Sequence, residues 1–150
     1  MVLLDSNLFI IDRFFSKDAL YPLNRTFIER LGELEAAISI FTLLEICGVA
    51  SFNLSSRELK RWLYQFSDAY PVLVLDPFGI EIQAALDWVK DFLVEVSERI
   101  SLKTTFGDAI ILREAEKYGV EALITWNTKD FLRRTGVPVL TPESYMRRIN

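Results

Sequence analysis

Five short, almost wholly apolar runs recur along the chain, at Val2–Leu4, Ala37–Ile40, Val72–Leu75, Ala122–Thr125 and Val137–Leu140. Stretches with helical spacing lie between them. Arg25–Glu35 puts Phe27, Ile28 and Leu31 on one face, Thr42–Phe52 follows the second run, and Arg57–Tyr70 carries Leu59, Leu63 and Phe66. Phe78–Ile100 is longer, with Ile82, Ala85, Leu86, Val89, Leu93 and Val96 near the 3.6-residue period. Phe106–Tyr118 ends at Gly119, suited to close a helix, and Thr141-Pro142 reads as the cap and first residue of a last short helix. Strands that are apolar throughout, rather than at every second residue, are buried on both faces. Alternating with helices, they predict an α/β fold: a three-layer α/β/α domain with a mainly parallel sheet of about five strands. The 150 residues, with no repeat or linker, suit one domain over 1–150.

Composition narrows the chemistry. With no histidine, the chain cannot run Ser-His-Asp or Cys-His catalysis and has no imidazole metal ligand. The one cysteine, Cys47, excludes an internal disulfide or a cysteine-rich zinc site and reads as a small buried hydrophobe. Carboxylates and an oxygen-binding metal are the remaining tools. The start, Met1 to Asp5, lacks the marks of a signal peptide, and Glu45 interrupts the longest near-apolar stretch, Ile38–Phe52. No membrane span and a cytoplasmic location are expected. The net charge of -4 is uneven: residues 1–100 carry 9 basic and 15 acidic side chains, residues 101–150 carry 8 and 6.

In parallel sheets, ligands bind beyond the carboxyl ends of the strands, so polar residues there matter most. Asp5 follows the first strand, Glu45 lies early in the helix after the second, and Asp108 opens the helix before the fourth. Asn127 and Asp130 follow the fourth strand. Converged in one crevice, these acids repel each other unless a cation neutralises them, and an all-oxygen shell selects Mg²⁺ or Mn²⁺. Each has a structural alternative. Thr42 with Glu45, and Thr105 with Asp108, have capping-box spacing, while Asp5 and Asp130 suit turns.

Four segments carry a resemblance: Leu3-Leu4-Asp5-Ser6-Asn7, Leu43-Leu44-Glu45-Ile46, Phe106-Gly107-Asp108-Ala109-Ile110-Ile111 and Ile124-Thr125-Trp126-Asn127-Thr128-Lys129-Asp130-Phe131. In order and spacing they resemble the motifs of PIN-domain ribonucleases, in particular the VapC-like toxins of toxin–antitoxin pairs. The resemblance implies a metal-dependent endoribonuclease. It makes Asp5 and Asp108 the principal metal ligands, and Glu45 either a ligand through water or the group positioning the nucleophilic water. The family's fourth acid falls at Asn127, which brings no charge; Asp130 stands three residues on, and the fourth position belongs to one or the other. Thr125 and Asn7 take supporting roles. A homodimer and a cognate antitoxin are the implied protein partners.

Lys103, Arg113, Lys129, Arg133 and Arg134 flank the Asp108 and Asp130 motifs and are candidate RNA contacts, with solvated surface as the alternative. Asp5, Glu45, Asp108 and Asp130 together equal the net charge of -4, so bound cations would move the protein towards neutrality. Trp126 is a base-stacking or a core residue. Two other functions fit the architecture. One is receiver-like or phosphatase-like phosphotransfer at Asp5 or Asp76; the other is a catalytically silent scaffold that binds a protein partner.

Overall fold

The computed structural model describes residues 1–77, 79 and 81–149. Strands β1 (Val2–Leu4), β2 (Ala36–Ser39), β3 (Leu73–Leu75), β4 (Ala122–Ile124) and β5 (Val139–Leu140) form one sheet in the order β3-β2-β1-β4-β5. Every pair is parallel, with Leu3 in register with Ala37 on one side and Leu123 on the other. The helices are α1 (Ser6–Phe14), α2 (Tyr21–Glu29), α3 (Ile40–Ala50), α4 (Ser56–Ala69), α5 (Ile82–Ser101), α6 (Phe106–Lys117) and α7 (Pro142–Ile149). The expected start of α5 at Phe78 lies outside the described residues.

The pleat sends successive side chains to opposite faces, and both faces are covered. Val2, Leu4, Ala36, Ile38, Ala122 and Ile124 face a core shared with Leu8, Phe9, Phe27, Ile46 and Phe66. Leu3, Ala37 and Leu123 face the other way, onto Ile111, Leu112 and Ala115 of α6 and onto Phe131. This is the three-layer α/β/α arrangement expected from the apolar runs. On the first face, Phe9 meets Phe66 and Tyr70 edge-on at 5.1 and 4.9 Å between ring centres. That geometry suits the aromatic quadrupole.

Local chemistry moves several boundaries. Helix α3 is capped by the Ser39 hydroxyl, which accepts the Phe41 N–H at 3.2 Å. Thr42 therefore lies inside the helix and the Thr42–Glu45 capping box is not formed. The real capping box opens α4, where Ser55 N–H donates to Glu58 at 2.8 Å and Glu58 N–H donates to Ser55 Oγ at 3.4 Å. Helix α2 begins at Tyr21-Pro22 and ends at Glu29, before a 3₁₀ turn at Leu31–Glu33. It is shifted from the expected Arg25–Glu35 because Pro22 suits a first turn. Gly119 adopts φ +56° after α6, the left-handed conformation that lets a helix end abruptly.

Helix α5 lies at the outside. Val96 packs with Ala109 and Ile110, and Phe92 stacks on Phe41 at 5.3 Å. Leu86, Val89, Leu93 and Ile100, at alternating three- and four-residue spacing apart from the buried Val96, remain exposed. No helix among the described residues is long and apolar enough to cross a membrane.

Candidate active site

The strand order turns at β1: β2 and β3 extend to one side, β4 and β5 to the other. Asp5 and Thr125 leave the carboxyl ends of the adjacent strands β1 and β4 at this switch point. Helix α6 precedes β4 and runs back along the sheet, so its first turn, with Asp108, reaches the same edge. Asp5, Glu45 and Asp108 line one cleft of about 440 Å³. Phe41, Leu44, Phe106 and Ile110 line its apolar part.

Asp5 is the buried member. Its Oδ1 accepts the Ser6 N–H at 2.7 Å, which caps α1, and the Ser6 hydroxyl at 3.3 Å. Its Oδ2 accepts the Asn7 amide at 2.7 Å and the Thr125 hydroxyl at 2.6 Å. Thr125 Oγ1 also accepts from Asn7 Nδ2 and from the Asn127 N–H, both at 2.9 Å. Thr125, wholly buried, thus ties β4 to β1 through the carboxylate. Asn7 and Thr125, expected in supporting roles, both donate to the Asp5 carboxylate.

Burial pushes the Asp5 carboxyl from 3.8 up to about 6. The Thr125 hydroxyl pulls it back, Glu45 raises it through like charge, the Ser6 amide lowers it, and Asp108 raises it again. The folded chain thus holds this proton to higher pH than the unfolded chain does. The stability so contributed is present below pH about 4 and lost as pH rises through about 6. A shift of that size is worth about 3 kcal/mol. In chelator, urea unfolding from pH 4 to 7 is expected to show this decline, and Asp5→Asn to remove it; an equal decline in the variant would refute the assignment.

The other carboxylates are more open. Glu45 is exposed, and its Oε1 lies 3.8 Å from where a Cβ on Gly107 would stand, over the start of α6. Asp108 is half-buried; Thr105 caps α6 by accepting the Asp108 N–H at 3.2 Å and donates its hydroxyl to Asp108 Oδ2 at 2.7 Å. The Thr105–Asp108 pairing expected as a structural alternative therefore exists, and Asp108 still lines the cleft. Among the described residues, no three acidic or cysteine side chains stand close enough to encircle an ion. The carboxylate and hydroxyl oxygens that line the cleft are donors of the kind that a hard, partly hydrated divalent cation takes.

Asn127 and Asp130 do not line this cleft. The Asn127 amide donates to Asp130 Oδ2, so the two hold each other in the turn after β4. Asp76 follows β3, separated from β1 by β2, and does not line the cleft either. Lys103, Lys129 and Arg133 are exposed, while Arg134 is half-buried and donates to the Asp130 carbonyl at 2.6 Å.

Arg113 corrects an expectation. It is 1% exposed, with Nε on Glu95 at 2.5 Å and Nη1 on Glu114 at 2.6 Å. Its guanidinium lies 5.4 Å from the Trp88 ring centre and 5.0 Å from that of Phe92. Covered by α5, it is a structural cation and not an RNA contact. Trp126 resolves to the core: half-buried against the first cluster, it donates its indole N–H to Asn24. Sequence reasoning missed Ser6 and Asn24. Asn24 stands in phase with Phe27, Ile28 and Leu31, a polar residue within an apolar stripe, and that phase is the signal for it.

Solved structures share this fold. A toxin-antitoxin complex from Klebsiella pneumoniae matches at 26% identity, over 95% of this chain and 98% of that one, with a TM-score of 0.57. FitAcB from Neisseria gonorrhoeae matches at 18% identity, 95% and 99% coverage and a TM-score of 0.61. VapBC-1 from nontypeable Haemophilus influenzae matches at 18%, 95% and 99%, and 0.61. The fold implied by the sequence resemblance is the fold found. No family model matches the chain, and no curated protein is significantly similar to it.

Proposed function

We propose that this chain is a divalent-metal-dependent endoribonuclease of the PIN type, the toxin member of a toxin–antitoxin pair. The observation that carries the reading is the convergence of Asp5, Glu45 and Asp108 on one cleft at the switch point of the sheet. The toxin–antitoxin complexes of the same fold support it. Asp5 and Asp108 would hold the ion. Among the oxygens already bonded, the Ser6 hydroxyl at 3.3 Å is the weakest partner to displace from Asp5. When bound, Mg²⁺ or Mn²⁺ neutralises the carboxylates, acidifies water and offsets charge developing on a phosphodiester.

The chain's own residues do the rest. Ser6, Asn7 and Thr125 fix the Asp5 carboxylate, so its orientation is set before substrate arrives. Glu45, the most exposed of the three acids, orients the attacking water and takes its proton on a carboxylate oxygen. Phe106, 62% exposed, and Leu44 give apolar surface against which unpaired bases stack. Lys103, Lys129 and Arg133 are the exposed cations for the phosphates, since Arg113 is withdrawn. With Asn127 and Asp130 paired to each other, the reading takes one ion. A homodimer and an antitoxin belong to the same proposal, and the exposed stripe of α5 supplies apolar area for protein contact.

The purified protein is expected to cut single-stranded RNA in Mg²⁺ or Mn²⁺, and cutting should stop in chelator or with Asp108→Asn. Cutting that persists in chelator, or no cutting of a broad RNA panel with either ion, overturns the proposal.

A further inference from the structure

Asn24 is wholly buried, among apolar side chains of α1 and α2. A buried amide costs stability unless both its ends are paired, and here both are. Its Nδ2 donates to the Leu8 carbonyl at 2.8 Å, in the first turn of α1. Its Oδ1 accepts the Trp126 indole N–H at 2.8 Å. One side chain therefore clamps the helix that begins with Ser6 and Asn7 to the residue that follows Thr125.

The next link is weaker. The Trp126 backbone N–H donates to Asn7 Oδ1 at 3.4 Å, near the limit of a hydrogen bond. Asn7 Nδ2 makes the two short bonds, to Asp5 at 2.7 Å and to Thr125 at 2.9 Å. An amide has nearly the same shape when turned over, so only its partners decide which end faces which way. Turned over, Asn7 would set its carbonyl oxygen against the Asp5 carboxylate. The Trp126 N–H favours the observed orientation, and a bond at 3.4 Å is lost with a small movement of the tryptophan.

We propose that Asn24 is a positioning residue for the cleft: by anchoring Trp126 it keeps the Asn7 amide turned donor-first onto Asp5. The inference rests on the proposed metal-dependent site for its consequence, and on the hydrogen bonds alone for its structure. A purely structural Asn24 would only satisfy the part-buried indole N–H.

Asn24→Leu and the milder Trp126→Phe test it, singly and together. In metal-free wild-type protein, the Asn7 side-chain NH₂ resonances are expected to exchange slowly with solvent, and in each variant to exchange at least about 10-fold faster. Mn²⁺ affinity, measured by calorimetry on folded protein, should fall about 10-fold in each single variant, within the range for lost outer-shell partners. On RNA, kcat should fall with KM little changed. The double variant should be no worse than the worse single, because both break one chain of bonds. Slow Asn7 exchange and unchanged Mn²⁺ affinity in folded Trp126→Phe would overturn the inference, even if Asn24→Leu fails to fold. If wild-type protein binds no Mn²⁺, the nuclease proposal fails, and the Asn7 exchange rates alone then decide the positioning role.

Discussion

Asp5→Asn is expected to lower metal-dependent RNA cleavage by more than about 100-fold, beyond the upper end of the loss from an outer-shell partner. The carboxylate is where β1, β4 and α1 meet, with four donors turned onto its two oxygens. The amide removes the charge that would hold the ion. It also replaces one acceptor oxygen with an NH₂ group. On the Oδ1 side that group meets the Ser6 N–H; on the Oδ2 side it meets Asn7 Nδ2 and the Thr125 hydroxyl. Either way the cleft loses both its charge and its order, while the core around Val2 and Leu4 is untouched. Circular dichroism should remain native, calorimetry should show Mn²⁺ affinity falling in parallel with activity, and Glu45→Gln should cost less. Wild-type cleavage by Asp5→Asn in Mg²⁺ would remove the centre from the proposal.

Arg113→Ala is expected to carry the largest stability loss, about 3–5 kcal/mol, the scale for breaking a buried ion pair from one side. Glu114 is itself buried and would keep an unpaired charge, and Trp88 and Phe92 would lose the plane they pack against. Arg113 Nη2 has no hydrogen-bond partner among the described residues, so the cluster is not an optimised network. Arg113→Met combined with Glu114→Gln should therefore recover a large part of the loss, since it removes both charges and refills the space. Urea unfolding at pH 7 reads both. A loss below about 1 kcal/mol for Arg113→Ala would mean that the pair behaves as a solvated surface bridge.

The sequence made the sheet legible because strands buried on both faces have no polar phase to disguise them. Val2–Leu4 falls where expected, and the others shift by one or two residues. Asp5, Glu45 and Asp108 were legible as strand-end or helix-start acids. Their convergence is expected from the strand-end rule and from the resemblance, not from any local pattern, since it depends on β4 lying beside β1. Helix α1 was hidden because Leu8–Phe15 is apolar almost throughout, and the cap that starts it is the same carboxylate that lines the cleft. Arg113 misled through sequence proximity: five residues from Asp108 on a helix is well round the axis, onto a side that α5 covers. By spacing alone, Asn127 and Asp130 are rival candidates for the fourth position. Their mutual hydrogen bond depends on a turn geometry that spacing does not reveal.

The strand order also has a consequence for synthesis. β1 is the first strand made, yet one of its two neighbours, β4, is completed only at Ile124, and Thr125 comes directly after it. A nascent chain that has been made only as far as α5 can pair β1 with β2 and β3, but it has neither Asp108 nor the hydroxyl that orients Asp5. The cleft is therefore assembled only once β4 has been made and seated beside β1.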